Sequence, residues 1–281
     1  MSVLESFKVS HPGGGVLHGL VDLPEAPGPR PTVVICHGFK GFMDWGFFPA
    51  LATLLAERGF VVVRFNLAGA GMKPGDDLVS DPRAFRDNTY SAELADLLRV
   101  LEATGVEIAP DRIDRARIGI FGHSRGGAAA VLAAAAEPWR ERIQALVTWA
   151  AIARVDRYTS EEQRTWREAG ELPVVNSRTG QRLALGPGLL EDVERNAAGS
   201  LDIRAAAGRR AAPWLIVHGA DDESVPAGEA TELDERAAGT HELLSIPGAG
   251  HTFGARHPFA GPTPHLIQAL NATQTWYRRY L

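Results

Sequence analysis

The sequence predicts an α/β protein in which a mostly parallel central sheet is covered by helices on both faces. The first observation is a set of short apolar runs, such as 32–36, 60–65 and 214–217, which are typical of strands buried on both faces. The second is that stretches with helical spacing separate these runs, as expected for parallel strands joined by crossover helices. The third is a length of 281 residues with 45% hydrophobic and 22% charged residues, which allows one large core.

Two short segments near the N-terminus are the first predicted strands. Residues 7–9 and 16–21 flank a Pro-Gly-Gly-Gly turn signal at 12–15, so we expect these two segments to pair. A Pro-rich link at 24–31 leads from this pair to the first buried strand.

The rest of the chain alternates between strands and helices. Apolar runs predict strands at 32–36, 60–65, 117–121, 143–149, 214–217 and 242–246. Helical patterns predict helices at 47–58, 82–103, 126–136, 227–238 and 264–280. The clearest helical spacing is that of Leu94, Leu97, Leu98 and Leu101. There is no internal repeat.

Charge and composition exclude several classes of function. Lys and Arg number 29 against 34 Asp and Glu, a net charge of −5, which gives no electrostatic reason to bind nucleic acid or an anionic membrane. The N-terminus lacks the pattern of a secretory signal, and no apolar run approaches the roughly 20 residues of a membrane span. We therefore expect a soluble, cytoplasmic protein. The single cysteine excludes an intramolecular disulfide and a multi-cysteine metal site.

The most informative motif follows the strand predicted at 117–121. Gly122-His123-Ser124-Arg125-Gly126 has the pattern G-x-S-x-G between a strand and a helix. In that context the glycines make room for a sharp turn that lifts the serine hydroxyl out of the sheet. Ligands of parallel sheets bind beyond the carboxyl ends of the strands, which is where this turn falls. We predict that Ser124 is a nucleophile, the alternative being an ordinary strand-to-helix turn.

A serine nucleophile needs a base, and the base needs an acid to orient it. In this topology they follow in the order Ser, acid, His. His251 lies in a Gly-containing loop just after the strand predicted at 242–246, and it is the expected base. The loop after the preceding strand offers three acids, Asp221, Asp222 and Glu223, which the residue pattern alone leaves open.

Other histidines and the cysteine have alternative interpretations. His257 is an alternative base. His37, His123 and His218 lie beside predicted strand ends, but each belongs to a turn, and no carboxylate or thiol recurs at ligand spacing. We therefore predict no metal. Cys36 lies inside an apolar run and is expected to be a small buried side chain.

A Gly-rich loop at 69–71 is the one segment that suggests a nucleotide. It lacks the spacing G-x-G-x-x-G, and no helix begins immediately after it. We expect an ordinary loop on the side of the site, and no nucleotide or other cofactor.

With these motifs the chain resembles the α/β-hydrolase superfamily over nearly its whole length, and within it the serine esterases. The His-Gly-Phe loop at 37–39 and the insertion at 150–212 look similar to those of bacterial feruloyl and cinnamoyl esterases. The general layout resembles that of dienelactone hydrolases, which carry cysteine where this chain has Ser124. The pattern His-Gly-x-x-Asp-x-x-Val-Pro at 218–226 matches the family's acid loop, and the resemblance implies that Asp222 is the catalytic acid.

Hydrolysis of an acyl compound also needs backbone donors for the developing oxyanion. One should be the N–H of Arg125, the residue after the nucleophile, and the other should come from the loop at 37–41. The resemblance implies that this second donor is the N–H of Phe39.

The segment 150–212 is too long for an ordinary connection. By resemblance we expect it to form a cap over a hydrolase core made of 1–149 and 213–281, the alternative being a surface decoration. Aromatic side chains are then expected to line a substrate pocket. The candidates are Trp45, Phe47, Phe48, Trp149, Tyr158 and Trp166.

Together these features predict a serine hydrolase that cleaves carboxylic esters with small to medium acyl groups through an acyl-enzyme on Ser124. Alternative substrates are feruloyl esters, thioesters and amides or peptides, since the same triad cleaves them. A non-catalytic binding protein on this fold is the alternative of another class, although such a relative is expected to lack part of the triad. Serine in place of aspartate at the turn disfavours dehalogenases and epoxide hydrolases. The oligomeric state stays open, a homodimer being one alternative.

Overall fold

A computed structural model of the chain describes residues 3–11 and 14–281, and ten strands occur among them. The predicted turn signal at 12–15 falls partly on Pro12 and Gly13, which lie outside the described residues. The strands are β1 (Val3–Ser10), β2 (Val16–Leu23), β3 (Arg30–Cys36), β4 (Val61–Phe65), β5 (Ile113–His123), β6 (Ile143–Trp149), β7 (Leu172–Val175), β8 (Arg182–Leu185), β9 (Trp214–Gly219) and β10 (His241–Ile246).

The described helices connect and cover these strands. They are α1 (Phe48–Glu57), α2 (Pro82–Arg86), α3 (Tyr90–Ala103), α4 (Arg125–Ala135), α5 (Trp139–Arg142), α6 (Ser160–Ala169), α7 (Pro187–Asn196), α8 (Ile203–Arg209), α9 (Ala227–Arg236) and α10 (Pro264–Tyr280). None of them, within the described part of the chain, is both long and apolar enough to cross a membrane.

Eight strands form the central sheet in the order β1-β2-β4-β3-β5-β6-β9-β10. The strand β2 pairs antiparallel with both of its neighbours, whereas all other pairs in this sheet are parallel. The predicted fold class is therefore confirmed. The carboxyl ends of β3, β5, β6, β9 and β10 lie at one edge of the sheet, because parallel strands run in the same direction.

Helices cover both faces of the sheet, and the strand β3 shows how one run supplies both cores. Val33 and Ile35 pack on the side of α1 and α10. Val34 and Cys36 pack on the opposite side, which α3, α4, α8 and α9 cover. Successive strand side chains point to opposite faces, so an uninterrupted apolar run is what this position requires. Cys36 is fully buried, as predicted, and burial raises the pKa of its thiol.

The prediction of one helix over 82–103 is wrong, because the structure has two helices with a break at residues 87–89. The Asp81 side chain accepts from the N–H of Ala84 and begins α2, while Thr89 accepts from Ala92 and begins α3. Such capping side chains satisfy N–H groups that a helix start leaves unpaired. The leucine spacing correctly located only the second helix.

Residues 150–212 also contain more structure than the sequence indicated. They form α6, a two-stranded antiparallel sheet of β7 and β8, α7 and α8. Strands of four residues carry too few side chains for an alternating pattern to be recognised. Within this segment α8 packs against α4 and α9, helices that cover the central sheet. The helix α8 therefore belongs to the layer that covers the central sheet.

Candidate functional site

Ser124 occupies the sharp turn between β5 and α4. Its backbone has φ 56° and ψ −120°, a strained conformation for a residue with a Cβ. The turn is held because the N–H of Ser124 donates to the carbonyl of Trp149 at 2.9 Å, and its own carbonyl accepts from Gly127 at 3.0 Å. Since β5 lies near the centre of the sheet, the serine stands beyond the carboxyl edge at the beginning of α4.

The glycines around Ser124 are required by close contacts between backbone segments. A Cβ on Gly126 would lie 2.3 Å from the carbonyl oxygen of His37, and one on Gly122 would lie 2.3 Å from that of Gly126. Both distances are far below any van der Waals contact. The glycines of the motif therefore allow β3, β5 and α4 to meet, which is the physical reason for the pattern G-x-S-x-G.

His251 and Asp222 form a hydrogen-bonded pair at the same edge. The Nδ1 of His251 lies 2.8 Å from Oδ2 of Asp222, and the carboxylate side chain is fully buried. His251 follows β10 and Asp222 follows β9, and the two strands pair in parallel, so their following loops are adjacent. Asp221 and Glu223, the other two acids of the loop, are exposed.

Several donors hold the carboxylate of Asp222 in its ionised form. Its Oδ1 accepts from the N–H groups of Ser224 at 2.8 Å and Val225 at 2.9 Å. Burial alone would raise the pKa of Asp222, but hydrogen bonds from His218 and His251 and from Val225 lower this pKa well below its usual value. An ionised acid in this position fixes the orientation of the His251 ring.

His257, the alternative base, has a different role. Its Nδ1 accepts from the N–H of Gly46 at 3.0 Å, and its Nε2 lies 2.9 Å from a carboxylate oxygen of Asp77. Both ring nitrogens are therefore engaged in joining two loops. His257 is absent from the cavity that Ser124 and His251 share, among the described residues.

His123 couples the turn at Ser124 to the loop that carries His251, a role that the sequence did not reveal. Its Nε2 donates to the carbonyl of His251 at 3.0 Å, and the two rings lie 4.8 Å apart. Burial lowers the pKa of His123 to about 3, so the ring is neutral. Phe47 packs edge-on against it at 5.3 Å. The loop that carries His251 is thus fastened to the residue before Ser124.

The loop after β3 runs against the nucleophile turn. The ring of His37 fixes this loop, since Nδ1 donates to the carbonyl of Gly38 at 2.9 Å and Nε2 accepts from Leu67 at 3.1 Å. Burial lowers the pKa of His37 to about 4, so it is neutral as well. A Cβ on Gly38 would lie 2.9 Å from Cβ of Ser124 and 3.5 Å from the backbone nitrogen of Arg125. Phe39, the next residue, lines the cavity with Ser124.

The side chain of Arg125 extends beneath the site and forms a buried ion pair with Glu93, at 2.8 Å. Its guanidinium lies 4.0 Å from the ring centre of Tyr90 and 5.0 Å from that of Phe39. Glu93 accepts another hydrogen bond from Asn88 at 2.7 Å. This ion pair connects α3 with α4 and supports the loop that carries Phe39. Sequence reasoning missed Glu93, which lies on the helix containing the leucine pattern and carries no local signal.

A cavity of about 550 Å³ opens over Ser124 and His251. Three of the six aromatic candidates, Trp45, Phe48 and Tyr158, line it. The segment 150–212 contributes Tyr158 and residues of α6 and of the β7–β8 turn to its wall.

Trp149, Trp166 and Phe47 are not part of this wall, in contrast to the prediction. Trp149 is fully buried under the sheet edge, where its ring centre lies 5.0 Å from that of Phe47 and its Nε1 donates to Thr273 at 2.9 Å. Trp166 is fully buried behind Tyr158, with its Nε1 donating to the carbonyl of Leu185 at 3.0 Å. The rings of Trp149 and Trp166 therefore contribute to core packing.

Replacing Trp149 with phenylalanine should lower the free energy of unfolding by about 1–3 kcal/mol. The smaller ring leaves a cavity, and the buried hydroxyl of Thr273 loses its donor. Thermal and denaturant unfolding would measure the change. Trp45→Phe is the matched control, since this partly exposed ring should change stability by less than about 1 kcal/mol. An unchanged midpoint for Trp149→Phe would contradict this assignment to the core.

Potential metal ligands do not gather in the part of the chain that the structure describes. No group of three His, Cys, Asp or Glu side chains there could hold a metal ion. His37 and His218, two of the histidines considered as ligands, use their Nε2 atoms in hydrogen bonds to the backbone of Leu67 and Val225.

A family model described as "Alpha/beta hydrolase family" matches residues 33–261. The 2,6-dihydropseudooxynicotine hydrolase of Paenarthrobacter nicotinovorans is 26% identical over 244 residues, which are 84% of this chain and 57% of that protein. The esterase FrsA of Citrobacter koseri is 24% identical over 245 residues, 87% of this chain and 54% of that protein. The chain therefore spans about half the length of these curated relatives.

Among solved structures, Est1E of Butyrivibrio proteoclasticus with bound ferulic acid superimposes with a TM-score of 0.72. It is 22% identical, and the match covers 98% of each chain. At this identity the likeness concerns the fold, and it agrees with the strand order and the helical layers described above. The match to the family model extends from β3 to the loop before α10 and includes Ser124, Asp222 and His251. The chain therefore belongs to the alpha/beta hydrolase family.

Proposed function

We propose that this protein is a serine hydrolase that cleaves carboxylic esters through an acyl-enzyme on Ser124. The observation that carries the proposal is the 2.8 Å contact between His251 and the buried carboxylate of Asp222. His251 lines the same cavity as Ser124. A serine in a strained turn, a base and an orienting acid are the parts that nucleophilic acyl transfer requires. The names of the relatives, a hydrolase and an esterase, agree with this function.

In the first step, Nε2 of His251 takes the proton of Ser124 while Oγ attacks the ester carbonyl. Asp222 accepts the Nδ1 proton of His251 in a hydrogen bond, so that Nε2 is free to accept and the resulting imidazolium is stabilised. The proton then passes from Nε2 to the alcohol, which leaves. Water deprotonated by His251 attacks the acyl-enzyme, and His251 returns this proton to Oγ of Ser124 as the bond to the acyl group breaks and the acid is released.

The negative charge that develops on the carbonyl oxygen needs donors that are already in place. The N–H groups of Phe39 and Arg125 are our candidates. Their support is the close packing of Gly38 against Ser124, together with the fixed ring of His37. Preorganised donors of this kind act without reorganisation during the reaction.

We also propose that residues 150–202, rather than the whole of 150–212, act as a cap. The ammonium of Lys40 donates to the carbonyl of Val175 at 2.8 Å, and the side chain of Gln181 bonds to both backbone groups of Val79 at 2.9 and 3.0 Å. The β7–β8 hairpin is thus attached to two loops of the core. A cavity of about 550 Å³ under such a cap suits small to medium acyl groups.

Labelling with a fluorophosphonate tests the function directly. We expect one adduct per chain, located on Ser124 by peptide mass spectrometry, with loss of activity in proportion to labelling. Ser177→Ala removes another serine of the same cavity and should still be labelled. No adduct on Ser124 would contradict the proposal and favour the alternative of a non-catalytic binding protein. Rates on matched esters, thioesters and amides would then rank the classes of acyl substrate.

Replacing Gly38 with alanine should lower kcat for ester hydrolysis by about 10²-fold to 10³-fold. The added methyl group would lie 2.8 Å from the carbonyl oxygen of His123 and 2.9 Å from Cβ of Ser124, so the loop must shift and move the N–H of Phe39. Losing one such donor costs about 3–4 kcal/mol. Steady-state kinetics and thermal unfolding would separate this effect from a loss of folded protein.

Gly188→Ala is the control for this prediction. Gly188 lies in the first turn of α7 with nothing within 4 Å of an added Cβ, so both kcat and the unfolding temperature should stay close to those of the parent. A Gly38→Ala protein with full kcat would show that this loop does not hold an oxyanion donor.

A further inference from the structure

More cationic than anionic side chains line the cavity. Four of them are cationic and one is anionic. The cationic ones are Lys40, Arg125, Arg157 and Arg178, and the anionic one is Glu162.

Two of the cations are neutralised by buried glutamates behind the cavity wall. Arg125 pairs with Glu93 at 2.8 Å, and Arg157 pairs with both oxygens of Glu229, the nearer at 2.6 Å. These ion pairs are complete without a ligand. They fix the shape of the wall and leave little charge for a substrate.

Lys40 and Arg178 are different, because their partners are uncharged. Lys40 Nζ donates to the carbonyl of Val175 at 2.8 Å, and the guanidinium of Arg178 donates to the carbonyl of Asp77. Among the described residues neither forms a salt bridge. A carbonyl satisfies one donor but does not neutralise the charge, and an ammonium has three donors and a guanidinium five.

Three carboxylates of the cavity and its surrounding loops have hydrogen-bond partners of their own. Glu162 Oε2 accepts from the backbone and side chain of Thr159, at 2.7 and 2.8 Å, as part of the cap of α6. The Asp77 carboxylate is bonded to His257 at 2.9 Å. Asp222 is bonded to His251. None of these carboxylates forms a salt bridge with Lys40 or Arg178, so within the described part of the chain both cations lack an ionic partner.

Lys40 is also partly buried, and burial lowers the pKa of its ammonium. Placing a charge in such surroundings without an opposite charge is unfavourable. The guanidinium of Arg178 lies 5.7 Å from the ring centre of Phe42, and Arg178 lines the same cavity as Lys40. An anion entering between these side chains would supply the missing opposite charge.

We propose that the substrate is an ester that carries a carboxylate, and that Lys40 and Arg178 bind this carboxylate. The inference rests on the proposed ester hydrolase function and narrows its substrate class. Arg178 can hold a carboxylate through two parallel hydrogen bonds, while Lys40 adds a point charge. Lys40 lies on the loop at 37–41 and Arg178 on the β7–β8 turn. The bound carboxylate would therefore also connect the cap to the core.

Matched esters test this specificity. Monoethyl adipate carries the carboxylate on the acyl side, and ethyl hexanoate is its neutral counterpart. 4-Butanoyloxybutanoate carries it on the alcohol side, and butyl butanoate is the counterpart. At low ionic strength we expect at least one charged ester to exceed its counterpart about tenfold in kcat/KM, mainly through a lower KM, by pH-stat titration. Equal values within both pairs would overturn the inference.

Variants of Lys40 and Arg178 test whether these two side chains cause the preference for a charged ester. Lys40→Met combined with Arg178→Met should bring the ratio of charged to neutral ester to about one, and Arg178→Glu should bring it below one. Because Lys40 adjoins Phe39, we expect its replacement to slow the hydrolysis of charged and neutral esters alike. The ratio of charged to neutral ester is therefore the readout, since a general loss of rate cancels in it. Arg182→Gln, which removes an exposed charge of the same hairpin, should keep the parent ratio. A parent ratio in the double variant would overturn the assignment.

A binding measurement separates this inference from the proposed function. By calorimetry on the Ser124→Ala protein, monoethyl adipate should bind at least about tenfold more tightly than ethyl hexanoate, and adding Lys40→Met and Arg178→Met should abolish the difference. Cleavage of neutral esters at Ser124 by the parent protein, without preferential binding of the charged ester, would contradict the inference and leave the hydrolase function standing. Absence of both Ser124 labelling and ester cleavage would overturn the hydrolase function and, with it, the inference.

Discussion

Replacing Ser124 with alanine should lower kcat/KM for ester hydrolysis by about 10⁴-fold to 10⁶-fold, leaving only what the oxyanion donors and binding provide. The hydroxyl supplies the atom that attacks, and no other described nucleophile occupies the turn between β5 and α4. The variant should remain folded, since the backbone bonds that hold residue 124 involve its N–H and carbonyl. Kinetics on protein purified without contaminating esterases, together with circular dichroism, would measure both properties.

Ser124→Gly is the informative companion variant. It should be as inactive as the alanine variant but more stable by about 1 kcal/mol, because glycine adopts a backbone with φ 56° without the strain of a Cβ. Retention of esterase activity in either protein would exclude the proposed acyl-enzyme. A glycine variant that is less stable than the alanine one would exclude stored strain at this turn.

Replacing Asp222 with asparagine should lower kcat by about 10³-fold to 10⁴-fold with little change in fold. The asparagine oxygen can still accept from Ser224 and Val225, which preserves the loop. Its amide N–H then faces Nδ1 of His251, so the proton of the ring moves to Nε2, where it blocks acceptance of the Ser124 proton. Steady-state kinetics and the rate of fluorophosphonate labelling should fall together.

Asp221→Asn and Glu223→Gln are the controls, since both side chains are exposed in the same loop, and each should keep kcat within about threefold. An Asp222→Asn enzyme with parent kcat, or a large loss of kcat in either control, would show that Asp222 is not the catalytic acid.

The pKa of Asp222 lies below its ordinary value in the folded chain. Its ionised form therefore adds stability that is present above pH about 4 and lost as the pH falls through the folded pKa. The asparagine variant should lack this acid-dependent contribution in denaturant titrations at different pH values.

The strands and the nucleophile turn could be predicted from sequence because their signals are local. A strand buried on both faces needs a continuous apolar run, as at 32–36, and a tight strand-to-helix turn needs glycines on both sides of Ser124. The prediction of a single helix at 82–103 was wrong because side-chain contacts separate α2 from α3 at Asn88 and Thr89. Thr89 caps the start of α3, and the Asn88 side chain donates to the buried Glu93. The β7–β8 hairpin was missed because its strands are too short to show a period.

Sequence by itself predicted the fold class, the family resemblance and, through that resemblance, the candidate set Ser124, Asp222 and His251, since each prediction depends on residue types at fixed positions along the chain. Only the tertiary structure decided which aromatic rings are core and which line the cavity. Trp149 and Trp166 pack inside, while Trp45 and Tyr158 face the site. It also decided that Lys40 and Arg178 bond to carbonyls and have no salt-bridge partner among the described residues. Burial and charge balance depend on contacts between distant segments, which no local pattern encodes.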